Sequence, residues 1–357
     1  MPVSRMLQEI RQQPGTLRRT IERGMGNARD LQRRLGKDRP RLVVIAARGS
    51  SDNAAQFGRY LIEITTGVPV SLAAPSIVTL YRKDLDLRSA LVVGISQSGE
   101  STDTNAVLAH GRKRGAITVG ITNESRSTMA RTAEHTLLVH AGEERSVAAT
   151  KTYTGQLLAL YLLAAALGGA LGGLVRFDHL RRVPGAVEAI LRQEARIAET
   201  VERYRFMSGT VTVGRGLNYS NALEFGLKLM ETCYVLAERF SAADLMHGPI
   251  AIVERAFPVF VFAPPGPTWP SVSRVLKRLA HLKAEMLVIT QRRSPSALKS
   301  ARILEVPAQP TVSQGPEDLY TPIPYIIPAQ LFAEHLAHVK GLDPDQPRTL
   351  SKITRTM

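Results

Sequence analysis

The chain has 357 residues, of which 44% are hydrophobic and 22% charged, so one large domain or two medium-sized ones of an ordinary globular protein are expected. Its single cysteine, Cys233, excludes a disulfide framework and a cysteine-based metal site. The net charge of +15 suits phosphate-rich partners, but no RNA- or DNA-binding motif and few aromatic residues are present, so we expect no nucleic acid partner.

The N-terminal segment is dense in arginine and is predicted to be a helical lead-in over residues 1–28. It lacks the apolar core of a signal peptide, which favours a cytoplasmic protein. Further along, the apolar run at 155–175 is long enough to span a bilayer. Gln156 and two Gly-Gly pairs interrupt that run, and a buried helix has the same pattern. We favour the buried helix and expect no membrane association.

Two stretches of sequence, 41–63 and 209–231, resemble each other across a period of about 168 residues, which is too long for a solenoid repeat. Both are predicted as a strand, an Arg-Gly turn and a helix. With one residue inserted in the second copy, the matched pairs are Asn53/Asn221, Ala54/Ala222, Phe57/Phe225, Gly58/Gly226, Leu61/Leu229 and Glu63/Glu231. This pattern indicates a duplication that produced two similar α/β domains.

Short β-branched runs alternate with helical stretches in both halves, which favours parallel sheets with helices on both faces. In the first half, strands are predicted at 41–47, 68–73, 89–95, 116–121 and 135–140. In the second half, they are predicted at 209–214, 234–237, 257–263, 284–290 and 303–306. We therefore predict an α/β fold with two doubly wound domains, each containing a parallel five-stranded sheet. The predicted boundaries are 29–175 for the first domain, 176–200 for a helical connection, 201–340 for the second domain and 341–357 for a C-terminal tail.

The segment SQSGESTDT, residues 96–104, follows a predicted strand and precedes a helix. Ligands of open parallel sheets bind beyond the carboxyl ends of strands, and a helix N-terminus favours an anion. Gly99 would let the backbone approach such a ligand, although Glu100 would repel a phosphate if it faced inward. The segment ARGSSDN, residues 47–53, repeats the arrangement. Both segments are also compatible with ordinary serine-capped helix starts, but their recurrence favours a phosphate-bearing small molecule.

The second half offers groups suited to proton transfer. Lys228 and Glu231 are three residues apart on a predicted helix and share a face, as in a proton-shuttling pair or in an ordinary surface ion pair. His247 lies where Gly and Pro end a helix, so it is either a cap or a group that titrates near neutrality. The histidines of the chain show no metal-ligand spacing with acidic residues, and we expect neither a metal ion nor an organic cofactor.

Five motifs, SQSGESTDT, VAATKTYT, ALEFGLKLMET, DLMHGPIAI and DQPRTLSK, together resemble the sugar isomerase (SIS) family. They occur in the family's order and extend from about residue 40 to residue 352. The similarity is closest to the isomerase half of glucosamine-6-phosphate synthase and to SIS-type glucosamine-6-phosphate deaminases. Ser101, Ala149, Arg48 and Ser50 depart from the synthase pattern, which puts the sugar specificity in question more than the catalysis.

The resemblance implies a role for each matching residue. Glu231 would move a proton between C1 and C2 of the substrate, His247 would assist ring opening from a neighbouring subunit, and Lys228 would stabilise the enolic species. Lys352 would form a Schiff base with the ketose carbonyl. The residues that would contact the sugar or its phosphate are Gly49, Ser50, Ser51, Ser96, Gln97, Ser98, Ser101, Val147, Ala148 and Ser351.

The activity implied by the resemblance is conversion of glucosamine 6-phosphate and water to fructose 6-phosphate and ammonia. No glutamine hydrolysis is expected, because the chain starts MPVSR and Cys233 lies mid-helix. The alternatives are another phosphosugar isomerase, a fructosamine-phosphate deglycase, or a sugar-phosphate-binding module without turnover. A site shared between subunits would imply a homodimer.

Overall fold

The computed structural model describes residues 3–37, 39–168, 174–291, 298–309, 315–350 and 352. The chain divides into two compact units. The first unit comprises Gln12–Glu144, Ala149–Arg181 and the end of the chain that contains Lys352. The second unit comprises Met1–Arg11, Arg145–Ala148 and Arg182–Leu350. The chain therefore passes between the units several times.

The first unit is built on a five-stranded parallel sheet in the order β2-β1-β3-β4-β5. Its strands are β1 (Leu42–Ala46), β2 (Val70–Leu72), β3 (Ala90–Ile95), β4 (Ile117–Thr122) and β5 (His135–Leu138). Its helices are α2 (Gln13–Lys37), α3 (Ser50–Thr66), α4 (Ser76–Thr79), α5 (Thr102–Lys113), α6 (Thr128–Thr132), α7 (Lys151–Gly168) and α8 (Phe177–Leu180). Every residue of the central strand β3 is buried, as expected for a parallel sheet covered on both faces.

The second unit repeats this architecture, with a parallel sheet in the order β10-β9-β8-β6-β7. Its strands are β6 (Gly209–Gly214), β7 (Leu236–Ser241), β8 (Pro258–Phe262), β9 (Glu285–Thr290) and β10 (Arg302–Glu305). Its helices are α1 (Arg5–Arg11), α9 (Val183–Leu191), α10 (Glu194–Val201), α11 (Tyr219–Cys233), α12 (Ala242–Met246), α13 (Trp269–His281) and α14 (Pro322–Val339). The predicted α/β class with two five-stranded parallel sheets is confirmed.

Strand β7 differs most from its predicted position. The sequence predicts a strand at 234–237, but β7 begins at Leu236 and runs to Ser241. The cause is the end of α11, where Tyr234 adopts a left-handed conformation with φ 53° and donates its N–H to the carbonyl of Leu229. This cap uses two residues that would otherwise extend the strand.

Helix α7 contains residues 155–168 of the apolar run that raised the question of a membrane span, and residues 169–173 of that run lie outside the described residues. All of its residues from Lys151 to Gly168 are buried, and it packs against α2 and α3 of the first unit. A helix that is apolar on all sides is stable when other elements cover it completely. Among the described residues, no helix has both the length and the apolar character needed to cross a bilayer.

The core of the second unit is centred on aromatic side chains. Phe225 of α11 packs edge-to-face against Phe260 of β8, with ring centroids 5.0 Å apart, and against Phe332 of α14 at 5.8 Å. Tyr204 packs on Phe260 and Phe332 as well. Edge-to-face pairs contribute beyond their buried area, so this cluster ties α11 and α14 to the sheet.

We expect Phe225→Ala to lower the free energy of unfolding of the second unit by about 3 to 5 kcal/mol, because the substitution removes a buried ring and leaves a cavity. Urea unfolding followed by the fluorescence of Trp269 reports on this unit, since the chain has one tryptophan. Phe206→Ala is the matched control, because the side chain of Phe206 is 64% exposed. Equal losses in the two variants would contradict the role of the cluster.

Candidate functional site

The first unit has a switch point between β1 and β3. These strands pair in parallel, with Ala46 beside Gly94, and the chain leaves them towards opposite sides of the sheet. Connections that part in this way leave a crevice beyond the carboxyl ends of the two strands. The segments 47–53 and 96–104 begin directly after these two strands, so the structure brings the two hydroxyl-rich segments predicted from sequence to the same edge of one sheet.

The loop Ser96–Ser101 is held in a fixed shape by its own side chains. The Ser96 hydroxyl accepts the N–H of Gly99 at 3.1 Å, and the Asn105 amide donates to the Gly99 carbonyl at 3.0 Å. Gly99 has φ +67°, and a Cβ at this position would clash with the Ser127 side chain. Only glycine fits both the backbone conformation and the space. Ser101 is the N-cap residue of α5, with its hydroxyl 3.0 Å from that of Thr104.

The sequence suggested that the Glu100 carboxylate could repel a bound phosphate, but in the structure this carboxylate accepts hydrogen bonds from Thr128. The carboxylate accepts the backbone N–H of Thr128 at 2.9 Å and the Thr128 hydroxyl at 2.7 Å. The charge is therefore engaged at the start of α6. The Gln97 carbonyl accepts the N–H of Asn123 at 3.1 Å, which connects the loop to the end of β4. The Ser98 hydroxyl accepts the N–H of Glu100 at 3.3 Å.

The second hydroxyl-rich segment begins α3. Gly49 precedes the helix with φ +59°, and Ser50 is its first residue. The buried Ser51 hydroxyl accepts a hydrogen bond at 3.0 Å from the amide of Gln156, which lies on α7. Gln156 thus connects the buried apolar helix α7 to the predicted ligand site. The sequence shows only that a polar residue interrupts an apolar run, and it does not indicate this contact.

Arg48 connects the two hydroxyl-rich segments. Its guanidinium donates to the carboxylate of Asp103, in the first turn of α5, at 2.7 Å. Burial raises the pKa of nearby Asp52, and the positive charge of Arg48 acts in the opposite direction. Arg48 is one of the residues that depart from the synthase pattern, and its bond to Asp103 links the start of α3 to the start of α5.

Lys228 and Glu231 form an ion pair in the second unit. Both lie on α11, and the Lys228 ammonium donates directly to the Glu231 carboxylate. The Lys228 side chain is 1% exposed and also lies 3.5 Å from the carboxylate of Glu224, which is fully buried. Glu231 keeps 23% exposure. The pair is therefore a buried three-charge cluster with one accessible carboxylate, and the interpretation as an ordinary surface pair is wrong.

His247 ends helix α12 as its C-cap residue, in agreement with the predicted helix stop. Its N–H donates to the carbonyl of Asp244, and the residue is exposed. Cys233 is the last residue of α11 and does not lie mid-helix as predicted; its buried thiol donates to the carbonyl of Ala333 at 3.1 Å. Burial raises the pKa of this thiol to about 12, so Cys233 is not a thiolate nucleophile at neutral pH.

The segment that contains Val147 and Ala148 belongs to the second unit. It is fixed by Glu9 of α1, whose buried carboxylate accepts the backbone N–H groups of Arg145 at 2.6 Å and Ser146 at 3.2 Å. Val147 is partly buried and Ala148 fully buried. Sequence reasoning missed Glu9, because a contact over 136 residues leaves no periodic signal.

Lys352 forms an ion pair within the first unit. Its ammonium lies 2.9 Å from the carboxylate of Glu144, whose side chain is fully buried. Burial acts to raise the pKa of Glu144, but the charge of Lys352 and the hydrogen bonds that Glu144 accepts outweigh burial and lower it. Glu144 was not predicted as a functional residue. Ser351, predicted to contact the sugar, lies outside the described residues.

The second unit also has a buried carboxylate, Asp318, which lies shortly before helix α14, as Glu144 lies shortly before helix α7 in the first unit. Asp318 is buried and lies 3.4 Å from the Thr268 hydroxyl. Burial raises its pKa to about 6, and its own backbone N–H and Thr268 counteract this only in part. The pKa of Glu144 is thus lowered, whereas the pKa of Asp318 is raised.

In the described part of the chain, no three side chains of His, Cys, Asp or Glu are grouped so that they could hold a metal ion. The predicted site residues include proton donors, proton acceptors, nucleophiles and hydrogen-bond donors, and they belong to both units. In the first unit these are the strand-end loops and Lys352, and in the second unit they are the α11 cluster, His247 and the segment 147–148.

Comparison with known proteins identifies the duplicated unit. The SIS domain family matches residues 37–166 and again 210–339. Glutamine–fructose-6-phosphate aminotransferase [isomerizing] from Gloeobacter violaceus is 37% identical in an alignment 360 residues long, gaps included, that covers 97% of this chain and 58% of that protein. The chain thus spans little more than half the length of the curated relatives it matches.

Solved structures share the fold over nearly the whole chain. A candidate phosphosugar isomerase from Silicibacter pomeroyi has a TM-score of 0.85 and 30% identity, covering 96% of this chain and all of that one. The C-terminal domain of glucosamine-fructose-6-phosphate aminotransferase from Francisella tularensis has a TM-score of 0.84 and 27% identity, covering 96% of this chain and 98% of that one. The homodimer expected from sequence stays a prediction.

We expect Gly99→Ala to weaken binding of a phosphosugar at least tenfold, because the added Cβ would clash with Ser127 and deform the loop. Isothermal titration calorimetry with fructose 6-phosphate measures the affinity. Gly115→Ala is the control, since Gly115 also has a positive φ (+79°) but has no atom within 4 Å of an added Cβ. Unchanged affinity in Gly99→Ala would show that the loop does not bind the ligand.

The pKa of Asp318 predicts a pH-dependent stability. It is about 6 in the folded protein and near 3.8 in the unfolded chain, so the unfolded state loses its proton first as pH rises. The free energy of unfolding therefore falls between pH 4 and pH 7, by about 2 to 3 kcal/mol, and Asp318→Asn removes this loss. Relative to wild type, Asp318→Asn should become more stable over that interval.

The stability of both proteins is measured by urea unfolding with Trp269 fluorescence at several pH values. Glu254→Gln, at an exposed position of the same unit, serves as the control and should follow the wild type. A stability difference between Asp318→Asn and wild type that does not change with pH would contradict the raised pKa.

Proposed function

Since the chain belongs to the SIS domain family, we propose that it is a phosphosugar isomerase that acts on glucosamine 6-phosphate and releases ammonia. The net reaction is glucosamine 6-phosphate plus water giving fructose 6-phosphate plus ammonia. The observation that carries this proposal is the buried Lys228, which holds the partly exposed Glu231 at the end of α11. The aminotransferase relatives support an amino sugar phosphate as the substrate class.

In this proposal, the loop Ser96–Ser101 binds the phosphate group. The start of α5 supplies backbone N–H groups, which hold an anion without a counter-ion. The Ser96 hydroxyl accepts the Gly99 N–H and keeps its own proton for donation to a phosphate oxygen. The carboxylate of Glu100 is engaged by Thr128, which limits its repulsion of the ligand. Gln97, Ser98, Ser101 and the α3 segment Gly49–Ser51 are proposed as further contacts, with Val147 and Ala148 contacting the sugar chain.

Glu231 is proposed to move the proton. In the open-chain aldehyde, the hydrogen on C2 is acidified by the neighbouring carbonyl, so a carboxylate can remove it and return it to C1. This transfer turns the C2 amine into an imine, and displacement of ammonia from that imine, followed by hydrolysis, leaves the ketose carbonyl. Lys228 compensates the charge on Glu231 and, through its ammonium group, favours the enolic intermediate. His247 is proposed to assist opening of the sugar ring.

Lys352 is proposed as the nucleophile at C2. Its amine replaces ammonia on the imine carbon, so the substrate is held covalently until water restores the ketose. In reverse, the same amine would capture fructose 6-phosphate as a Schiff base. Trapping of this species by borohydride is therefore a direct test of the proposed chemistry.

We expect the wild-type protein to release ammonia from glucosamine 6-phosphate and to exchange the C1 and C2 protons of the substrate with deuterated water. Glu231→Gln should lower the rate of both processes by about 10² to 10⁴-fold, because proton transfer loses its carboxylate, whereas substrate affinity should change little. Ammonia is measured by a coupled enzymatic assay and proton exchange by NMR. Glu238→Gln, at an exposed position of β7, is the matched control.

The other outcomes identify the alternatives. Proton exchange on other sugar phosphates, without ammonia release, would indicate a different isomerase. Release of an amino acid from a fructosamine phosphate would indicate a deglycase. Tight binding of phosphosugars that Glu231→Gln leaves unchanged, with no exchange in the wild type, would indicate a binding module and end the proposal.

A further inference from the structure

Glu144 is a buried carboxylate to which the proposed reaction gives no role. One of its oxygens accepts the backbone N–H groups of Thr150 and Thr152, at 3.0 and 3.1 Å, where helix α7 begins. The other oxygen accepts the Thr152 hydroxyl at 2.6 Å and the ammonium of Lys352 at 2.9 Å. Three of the four donors belong to the start of α7, so the position of the carboxylate is fixed by a rigid element.

Within the part of the chain that the structure describes, the charge of Glu144 is met by Lys352. Its ammonium is the cation in contact with the carboxylate, and it is the charged side chain that affects the pKa of Glu144. Lys151, the first residue of α7, directs its ammonium to the Gln12 side chain at 2.8 Å and to the carbonyl of Glu143. The contacts therefore assign Lys352, rather than the adjacent Lys151, as the partner of the Glu144 charge.

A helix cap alone does not require this lysine. The Thr150 and Thr152 donors would already satisfy a capping carboxylate. Lys352 reaches Glu144 from 208 residues away in sequence. Its side chain remains 25% exposed, so Lys352 is held by Glu144 without being fully buried.

We propose that Glu144 is the positioning residue for Lys352: the buried carboxylate fixes the amine of the C-terminal segment relative to helix α7 and neutralises the positive charge on its nitrogen. This inference rests on the proposed function, in which Lys352 is the nucleophile. Glu144 acts through Lys352 and has no assigned contact with the substrate.

The charge balance of Schiff base formation suits a fixed carboxylate. The Lys352 ammonium and a ketose carbonyl give a protonated imine and one water molecule. The new C–N bond replaces the carbonyl C–O bond, two ammonium protons leave with the oxygen, and one proton stays on nitrogen. The nitrogen carries one positive charge before and after the reaction. Glu144 therefore compensates the same charge in both states without moving, which lowers the cost of reorganisation.

The first test needs no catalysis. Full-length wild type, Glu144→Gln and Glu143→Gln are treated with limiting acetic anhydride, and acetylation of Lys352 is followed by mass spectrometry relative to the exposed Lys113. We expect acetylation at Lys352 to be about tenfold faster in Glu144→Gln, because the released amine is more accessible and no longer held as an ion pair. Glu143→Gln removes a neighbouring exposed charge and should match the wild type. Equal rates in all three proteins would overturn the proposal.

The second test measures the consequence for the reaction. Borohydride trapping of fructose 6-phosphate on Lys352 should be at least tenfold slower in Glu144→Gln, while the affinity for the sugar phosphate should stay within twofold of wild type. If Glu144 acted only in folding, the substitution would lower the amount of active protein, but it would not slow trapping while leaving the affinity for the sugar phosphate unchanged. Trapping as fast as wild type would overturn the positioning role. If the wild type itself traps no sugar, the proposed function fails, but acetylation still decides whether Glu144 holds Lys352.

A double-mutant cycle keeps the inference testable if Glu144→Gln folds poorly. Lys352→Met leaves the Glu144 carboxylate buried without its cation, so its melting temperature should fall. Adding Glu144→Gln to that variant should restore part of the loss, since the neutral amide needs no cation. Additive losses in the double variant would show that the two side chains are not coupled.

Discussion

A carboxylate that is removed from water must accept hydrogen bonds or meet a cation, and this requirement governs the candidate site residues of both units. Glu224 and Glu231 share Lys228 along one helix, and Glu144 is held by the start of α7 and by Lys352. Glu9 accepts backbone N–H groups of the segment 145–146. Each carboxylate thereby fixes a piece of chain that carries a predicted site residue.

The sequence predicts those features of the fold that depend on local periodicity. Alternating strands and helices imply two parallel sheets, and the hydroxyl-rich segments at 47–53 and 96–104 are correctly assigned to strand ends because such ends are read from a few adjacent residues. Lys228 and Glu231 are recognised from their spacing of three on a helix. Glu224 was overlooked, although it lies four residues before Lys228 and an i,i+4 partner could have revealed it.

Other features could not be predicted because they join distant parts of the chain. Glu144 and Lys352 are 208 residues apart, and Glu9 lies 136 residues before the backbone that it holds. No spacing rule connects such pairs. The start of β7 was displaced for a different reason, since the left-handed cap at Tyr234 is unusual for a residue other than glycine. The orientation of the Glu100 side chain could not be predicted either, because it depends on Thr128 of a later helix.

The way in which the chain is divided between the units affects how the protein can be dissected. Although the sequence contains two SIS repeats in succession, helix α1 and the segment Arg145–Ala148 pack with the later repeat. A fragment that begins after Arg181 would therefore lack the Ser4 hydroxyl that donates to the buried Glu334 at 2.7 Å, and also Glu9 with its backbone partners. Gene duplication made the halves alike in sequence, but neither is an autonomous module that a single cut in the coding region would release.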